Sequence, residues 1–167
     1  TNDTAGVSSK GPLSVARYDL YATGSSSFGY FAAGYNDGGT NLSLIDRVDY
    51  ANDTATASPK GLLSVARVSG EGVSSRENAI PLKGPGNLEV PVAFGPFSAP
   101  GPVPAGTDFG YVAGGYLPSS PNLSSTVDRI DYTNDTATAA AKGPLSAAAR
   151  YVNGVANLTH GYRVGGT

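Results

Sequence analysis

The sequence predicts an all-β protein built from a repeated unit, and three observations support this prediction. First, 23 of the 167 residues are Gly and 12 are Pro, more than a helical protein usually carries. Second, hydrophobic residues make up 40% of the chain and charged residues only 14%, unlike most disordered chains. Third, short phrases recur along the sequence. Many short strands joined by tight turns account for all three observations.

Four recurring phrases define the repeat. Asn-Asp-Thr-Ala stands at residues 2–5, 52–55 and 134–137, each time with a Lys-Gly pair eight residues after the Asn. A Leu-Ser stretch then closes on an arginine: Arg17, Arg67 and Arg150, the last displaced by one extra Ala. An aromatic block with glycines stands at residues 28–35, 109–116 and 160–167. The phrases IDRVDY and VDRIDY complete the set at residues 45–50 and 127–132.

The spacing of these phrases gives the period. Asn2 and Asn52 are 50 residues apart, whereas Asn52 and Asn134 are 82 apart. The longer interval indicates one period plus an insertion of about 31 residues. We therefore expect a single repeat-built domain over residues 1–167, with about 2.7 units. The predicted units are residues 1–50, 51–132 and 133–167, and the predicted Pro/Gly-rich insertion is residues 68–107.

Each unit is predicted to form four short strands. Residues 18–22, after the arginine, alternate like an exposed strand, and the compact aromatic block is typical of a buried inner strand. Gly inside that block indicates that another backbone approaches closely. Residues 45–50 alternate with period two and predict a third strand. Asn-Asp-Thr predicts a turn, and residues 56–67 predict the last strand, interrupted by Lys-Gly.

A period of about 50 residues with a glycine-bearing aromatic strand resembles the kelch repeat. Its paired glycines stand in full at Gly114-Gly115 and Gly165-Gly166, while the first copy has Ala33-Gly34. The resemblance implies kelch-like β-propeller blades. Propellers close with about four to eight blades. We therefore expect the chain to belong to a longer protein, to complete a ring with other copies, or to form an open stack.

A second resemblance concerns the amino-acid sequence of the repeat. The phrase DYxNDTATAxxKGPLSxAR is similar to repeats of tail-fibre-like structural proteins of marine phages. This similarity implies a viral structural protein and a location on a virion or another extracellular surface.

The charged residues indicate structure more than catalysis. Eight of the 11 basic residues and seven of the 13 acidic ones stand at repeated positions. A catalytic group is needed once per site, whereas a stabilising ion pair is needed once per repeat. We expect the Asp-Arg-x-Asp strand to pair with the repeated arginine. A single His and no Cys exclude a His-based triad or a multi-histidine or Cys-based metal site within one chain. No catalytic residue, metal site or cofactor is predicted.

Recognition is predicted at three sets of residues. The variable polar loops after the aromatic block supply a candidate ligand site: Asn36, Asp37, Thr40, Asn41, Ser119, Ser120 and Asn122. The insertion supplies a candidate arm that grips a neighbouring subunit: Glu71, Arg76, Glu77, Glu89, Phe94 and Phe97. N-glycosylation sequons form the third set: Asn2, Asn41, Asn52, Asn122, Asn134 and Asn157.

The leading hypothesis is a non-enzymatic structural and recognition module, fibre- or adhesin-like, that binds a surface glycan. Its expected partners are further blades or other copies of itself. A net charge of −2 without charged runs predicts no nucleic-acid partner, and no apolar stretch predicts membrane insertion. One alternative is a polysaccharide-degrading propeller enzyme that uses Glu71, Glu77 or Glu89 as acid and base. The other is a glycosylated, self-assembling filament subunit.

Overall fold

The computed structural model describes residues 8–74, 109–119, 122–156 and 160–167. Within these ranges the secondary structure is β, apart from one short 3-10 turn at Tyr50–Asn52. All strand pairs are antiparallel. The all-β prediction is confirmed, and the described sheets do not close into a ring.

Ten strands form three sheets in which sequence neighbours pair directly. The first sheet contains β1 (Tyr21–Gly24), β2 (Phe28–Ala32), β3 (Leu44–Asp49) and β4 (Ser58–Leu62). The second contains β5 (Glu71–Ser74), β6 (Phe109–Ala113), β7 (Val127–Asp131) and β8 (Ala140–Ala141). The third is a hairpin of β9 (Asn153–Ala156) and β10 (Gly161–Val164).

The register shows that the sequence repeat is a structural repeat. Tyr30 on β2 lies opposite Arg47 on β3, and Tyr111 on β6 lies opposite Arg129 on β7. The first strands also agree, because Tyr21 pairs with Ala32 as Glu71 pairs with Ala113 and Asn153 with Val164. The two four-stranded sheets therefore carry the aromatic and Asp-Arg-x-Asp phrases in the same positions, and the hairpin repeats the pairing of the first two strands.

Two predicted strands have different bounds in the structure. Residues 18–22 are not an exposed strand: β1 begins at Tyr21, whose side chain is only 1% exposed. Asp19 has a φ of 53°, a left-handed conformation that interrupts an extended chain. The last strand is β4, Ser58–Leu62, shorter than the predicted 56–67.

The start of the insertion also moves. Val68 makes a bridge with Tyr116, and Glu71–Ser74 form β5. Residues 68–74 therefore belong to the repeated sheet, and Glu71 lies in a strand rather than in the predicted arm. The remaining arm residues lie outside the described part of the chain: Arg76, Glu77, Glu89, Phe94 and Phe97.

Successive sheets pack through their first strands. β1 contacts β5 and β6, and β5 contacts β9. The core between the first two sheets contains Tyr21, Tyr30, Ile45 and Val112, each at most 1% exposed. The ring of Tyr30 stacks on that of Tyr132 with centroids 4.7 Å apart. Packing of this kind buries the apolar face that each sheet could not cover alone.

The paired glycines are explained by backbone conformation. Gly114 and Gly115 have φ values of 67° and 113°, and Gly165 and Gly166 have 72° and 96°. In the first sheet Ala33 has a φ of 60°, next to Gly34 at 108°. Glycine adopts these angles without a steric penalty, whereas alanine does so at a cost.

The glycine inside the aromatic strand is explained differently from the prediction. A Cβ on Gly29 would lie 3.0 Å from the hydroxyl of Tyr50, and one on Gly110 would collide with the hydroxyl of Tyr132. The crowding atoms belong to a tyrosine side chain, not to another backbone. The tyrosine that ends the Asp-Arg-x-Asp-Tyr phrase therefore packs against the glycine of the neighbouring strand and leaves little room for a side chain there.

Candidate functional site

The repeated arginine and aspartate form a buried ion pair in each of the two four-stranded sheets. Arg17 Nη1 lies 2.9 Å from Asp46 Oδ2, and Arg67 Nη1 lies 2.8 Å from Asp128 Oδ2. All four side chains are fully buried. This geometry agrees with the pairing expected from the sequence, and it ties the segment before each sheet to that sheet's third strand.

Backbone groups complete both pairs. The second guanidinium nitrogen donates to the carbonyl oxygen of Phe31 at 3.0 Å in the first sheet and of Val112 at 3.1 Å in the second. Buried charges of this type persist because they are paired and hydrogen-bonded on several sides. A guanidinium held in this way is unavailable to a ligand.

The two carboxylates differ in one hydrogen bond. Asp46 accepts from both the backbone N–H and the hydroxyl of Ser14, at 3.0 and 2.6 Å. Asp128 accepts from the backbone N–H of Ser64 at 3.1 Å, while its Oδ1 has no hydrogen-bond partner. The second site is therefore the less satisfied of the two.

Arg150 does not occupy the repeated arginine position. Gly34 N–H donates to the carbonyl of Arg67, and Gly115 N–H donates to that of Ala149. Ala149 therefore stands where Arg67 stands, without any inserted residue, and it is buried. Arg150 lies one position later, with its guanidinium 5.4 Å from the ring centre of Tyr116. The sequence analysis aligned Arg150 with Arg17 and Arg67 because all three are arginines. This alignment was wrong, because the backbone hydrogen bonds place Ala149 at the repeated position.

A second charged cluster joins the first sheet to the turn of the second. Asp135 accepts from Arg47 at 2.7 Å and from the hydroxyl of Tyr30 at 2.9 Å, and Lys60 Nζ lies 3.6 Å away. Burial, followed by the neighbouring Asp135 carboxylate, raises the pKa of Tyr30. The phenol therefore stays protonated and donates. The cluster connects residues that are up to 105 positions apart.

The lysine–aspartate contact of this cluster recurs at the preceding turn, where both side chains are more exposed. Lys10 Nζ lies 3.4 Å from Asp53, with both side chains 40% exposed or more. Arg47 also lies over the ring of Phe28 at 4.3 Å, as Arg129 lies over Phe109 at 3.9 Å. These cation–π contacts hold the two arginines in matching orientations.

Two side chains of the predicted loop site have an internal role. Asn36 Oδ1 accepts from the backbone N–H of Thr40 at 3.0 Å, which closes the loop after β2. Asn41 donates to the carbonyl of Tyr116 at 3.3 Å, so it connects the first sheet to the second.

The exposed remainder of the loop site is small. Asp37, Ser119 and Asn122 are exposed, and Ser120 lies outside the described residues. The contact of Asn41 with Tyr116 places the two loops at the same side of neighbouring sheets. Thr40 is exposed as well, and only its backbone N–H is bound within the loop. These four residues are therefore the members of the predicted loop site that an external ligand can reach.

The sequons fall into different environments. Asn52 and Asn134 are exposed in the repeated turns and Asn122 is exposed in its loop, whereas Asn41 is half-buried. Asn2 and Asn157 lie outside the described residues.

Glu71 is a carboxyl group that the repeat does not explain. It stands at the β5 position that Tyr21 and Asn153 occupy in the other sheets. Burial against β9 raises its pKa to about 7, and no hydrogen bond or cation among the described residues offsets this effect. Sequence reasoning singled out Glu71 but had no signal for its burial. No cluster of three potential metal ligands occurs in the described part of the chain.

The fold and its charged clusters define an all-β repeat protein of antiparallel sheets joined by ion pairs. No protein-family model matches the chain, and no curated protein matches it significantly. The described residues include no helix long and apolar enough to span a membrane.

Proposed function

We propose that this chain is a non-enzymatic structural and recognition module of an extracellular or virion surface, composed of kelch-like propeller blades. The observation that carries the proposal is the use of the repeated charges. Five repeated basic residues form ion pairs with repeated aspartates: Lys10, Arg17, Arg47, Lys60 and Arg67. Charges used once per repeat stabilise an array and leave few groups for chemistry.

The sheet arrangement supports the blade interpretation. Four-stranded antiparallel sheets follow one another, and each contacts the next through its first strand. That arrangement is typical of sheets that surround a common axis. Since a ring of this kind needs about four or more blades, further blades or other copies are the expected partners.

Asp37, Ser119 and Asn122 support the recognition role. They lie in the loops that differ most between repeats, on a scaffold held by buried ion pairs. Exposed polar loops on a rigid sheet framework are common sites of ligand binding. Carboxylate, hydroxyl and amide groups suit the hydroxyl groups of a surface glycan as hydrogen-bond partners.

A glycan-array measurement tests this role. We expect the triple variant Asp37→Ala, Ser119→Ala, Asn122→Ala to lose glycan binding while its thermal midpoint stays unchanged. The matched control replaces three exposed residues of the repeated turns, Asn52→Ala, Thr54→Ala and Asn134→Ala, and should bind normally. Full binding by the loop variant would show that other residues bind the glycan. If the unmodified protein binds no glycan on the array, the glycan-recognition role is wrong.

Glu71 favours one second candidate, a polysaccharide-degrading enzyme. A carboxyl group with a pKa of about 7 is partly protonated at neutral pH, as a general acid requires. Reducing-sugar release from polysaccharides tests this candidate. If release occurs and Glu71→Gln abolishes it while glycan binding persists, the non-enzymatic proposal is wrong.

A further inference from the structure

An accessible tyrosine ring lies beside the loop that follows β2. Tyr18 and Tyr35 form a backbone bridge, and their rings meet edge to face with centroids 5.5 Å apart and planes at 66°. Tyr18 is 52% exposed, whereas Tyr35 is half-buried. Tyr35 therefore supports the ring of Tyr18 on one side and leaves much of it open to solvent.

Two carboxylates flank this pair of rings without a compensating cation. Desolvation raises the pKa of Tyr18, and Tyr35, Asp19 and Asp37 raise it further. Among the described residues no basic group lowers this pKa, and no ion pair joins either aspartate to a cation. Both aspartates are exposed. The surroundings of the accessible ring are therefore negatively charged.

Both aspartates are held on fixed backbone. Asp19 has a φ of 53°, and its carbonyl accepts from the N–H of Ser69 at 3.1 Å. Its carboxylate also accepts from the hydroxyl of Ser69, at 3.3 Å. Asp37 lies in the loop that Asn36 closes through the backbone N–H of Thr40. A ligand that contacts these groups would therefore lose little free energy in ordering them.

The repeat does not account for this cluster. Charges and rings that stabilise an array recur in each unit, whereas a binding site needs its groups only once. Counting from the bridged tyrosines Tyr35 and Tyr116, the second unit has different residues at the three positions: Val68 for Tyr18, Ser69 for Asp19 and Pro118 for Asp37. Val68 is only 6% exposed, so of the two four-stranded sheets the first alone presents a ring here.

The loop end of the molecule stays open where sheets are described on both sides. The second sheet contacts the first sheet through β1 and the hairpin through β9. Its Tyr116 is half-buried, as Tyr35 is, and Ser119 in its loop is exposed, as Asp37 is. Neighbouring sheets therefore leave this end accessible to a ligand.

We infer that Tyr18, Asp19 and Asp37 bind an amino sugar, with the sugar ring against Tyr18 and its protonated amine beside the carboxylates. An ammonium group is attracted by the face of a tyrosine ring and by carboxylates. Sugar hydroxyls donate hydrogen bonds to the same carboxylates, whereas an acidic sugar would be repelled. The inference rests on the proposed glycan-binding role and specifies the charge of the ligand.

Isothermal titration calorimetry with oligosaccharides of equal length tests the inference. The probes are a chitosan oligomer with free amines, its fully N-acetylated form and an oligomer of uronic acid. At about pH 6, where such amines are protonated, we expect the chitosan oligomer to bind at least about tenfold more tightly than the acetylated form. The uronic acid oligomer should bind most weakly. Equal binding of the first two, or tighter binding of the acidic oligomer, would overturn the inference.

Replacement of the ring tests the role of Tyr18. Tyr18→Val introduces the residue that the second unit carries, so the thermal midpoint should change little while affinity falls at least about tenfold. Tyr18→Phe keeps the ring and should bind nearly as well as the unmodified protein. Tyr162→Val is the matched control, because Tyr162 is also 52% exposed, and it should bind normally. Normal binding by Tyr18→Val would contradict the assignment.

Replacement of the two charges tests the preference for an amine. The double variant Asp19→Ser, Asp37→Asn should bind the free-amine and acetylated oligomers with similar affinity, and an unchanged preference would refute the role of the carboxylates. If neither oligomer binds but the array shows another bound glycan, the amino-sugar inference is wrong and the recognition role persists. If no glycan binds at all, the recognition role is wrong as well.

Discussion

Removal of Asp128 should expose the energetic role of the buried ion pairs. Asp128→Ala leaves the guanidinium of Arg67 fully buried without its carboxylate, 2.8 Å away in the native protein. Breaking a buried pair on one side costs about 3–5 kcal/mol. Arg67 keeps its bonds to the carbonyls of Val65 and Val112, and Asp128 Oδ1 has no partner to lose. We therefore expect a loss of about 3 kcal/mol in the free energy of unfolding.

Asp46→Ala is the matched comparison in the first sheet. Asp46 accepts two hydrogen bonds from Ser14 as well as the bond from Arg17. Since the additional bond, from the hydroxyl of Ser14, contributes about 1 kcal/mol, Asp46→Ala should cost about 4 kcal/mol. We therefore expect Asp46→Ala to be the more destabilising of the two variants. The difference comes from the number of hydrogen bonds that each carboxylate accepts, because both carboxylates are equally buried.

Urea denaturation followed by circular dichroism measures both variants, because the chain has no Trp and unfolding must be read from the sheet signal. The double variant Arg67→Met, Asp128→Leu removes both charges of the pair. It should be more stable than Arg67→Met alone or Asp128→Leu alone, each of which leaves one charge buried without its partner. A cost below about 1 kcal/mol for Asp128→Ala, or single costs that simply add in the double variant, would refute the reasoning that a stranded buried charge sets the penalty.

Three further variants test other contacts. Gly61→Ala should lower the free energy of unfolding by about 3 kcal/mol because its Cβ would collide with Ala137; an unchanged urea midpoint would contradict this packing. Tyr132→Phe removes the hydrogen bond between the Tyr132 hydroxyl and Thr23 Oγ1, which are 2.8 Å apart, and should cost about 1 kcal/mol in the same assay, while Tyr50→Phe at the equivalent exposed position should cost less. The pKa of Glu71 is about 7 in the folded state against 4.5 for the free group, so its contribution to stability is greatest at low pH and falls as pH rises between these values. After screening by solvent this fall is about 1–2 kcal/mol; Glu71→Gln should abolish it between about pH 5 and pH 8, and equal pH dependence in both proteins would show that the carboxyl is not perturbed.

Local chemistry made several features predictable. The Asn-Asp-Thr turns, the alternation of residues 45–50 and the paired glycines depend on backbone conformation within a few residues, which residue type largely determines. That the repeated arginine pairs with the Asp-Arg-x-Asp strand was also predictable, because charges repeated in step with the structure must find partners once per unit. These features place the sheets in order and indicate which charges are structural.

Other features depended on contacts between distant residues. Tyr21 was assigned to an exposed strand, yet the second sheet buries it, since β1 packs against β5 and β6. Ala149 replaced Arg150 in the arginine position because backbone hydrogen bonds with Gly115, and not residue identity, determine the register. Glu71 lies in a strand because Val73 and its neighbours pair with β6.

The sequence by itself determined the repeat, its turns, the positions that require glycine and the pairing of the repeated charges, since each depends on local backbone preferences or on a pattern repeated with the fold. Only the tertiary structure decided which strand is buried and which aspartate each arginine contacts across 61 or 88 residues. These depend on how whole sheets pack. The same Lys-Gly pair lies against the Ala137 carbonyl at Gly61, whereas a Cβ on Gly143 would meet nothing within 4 Å, a difference that no local pattern contains.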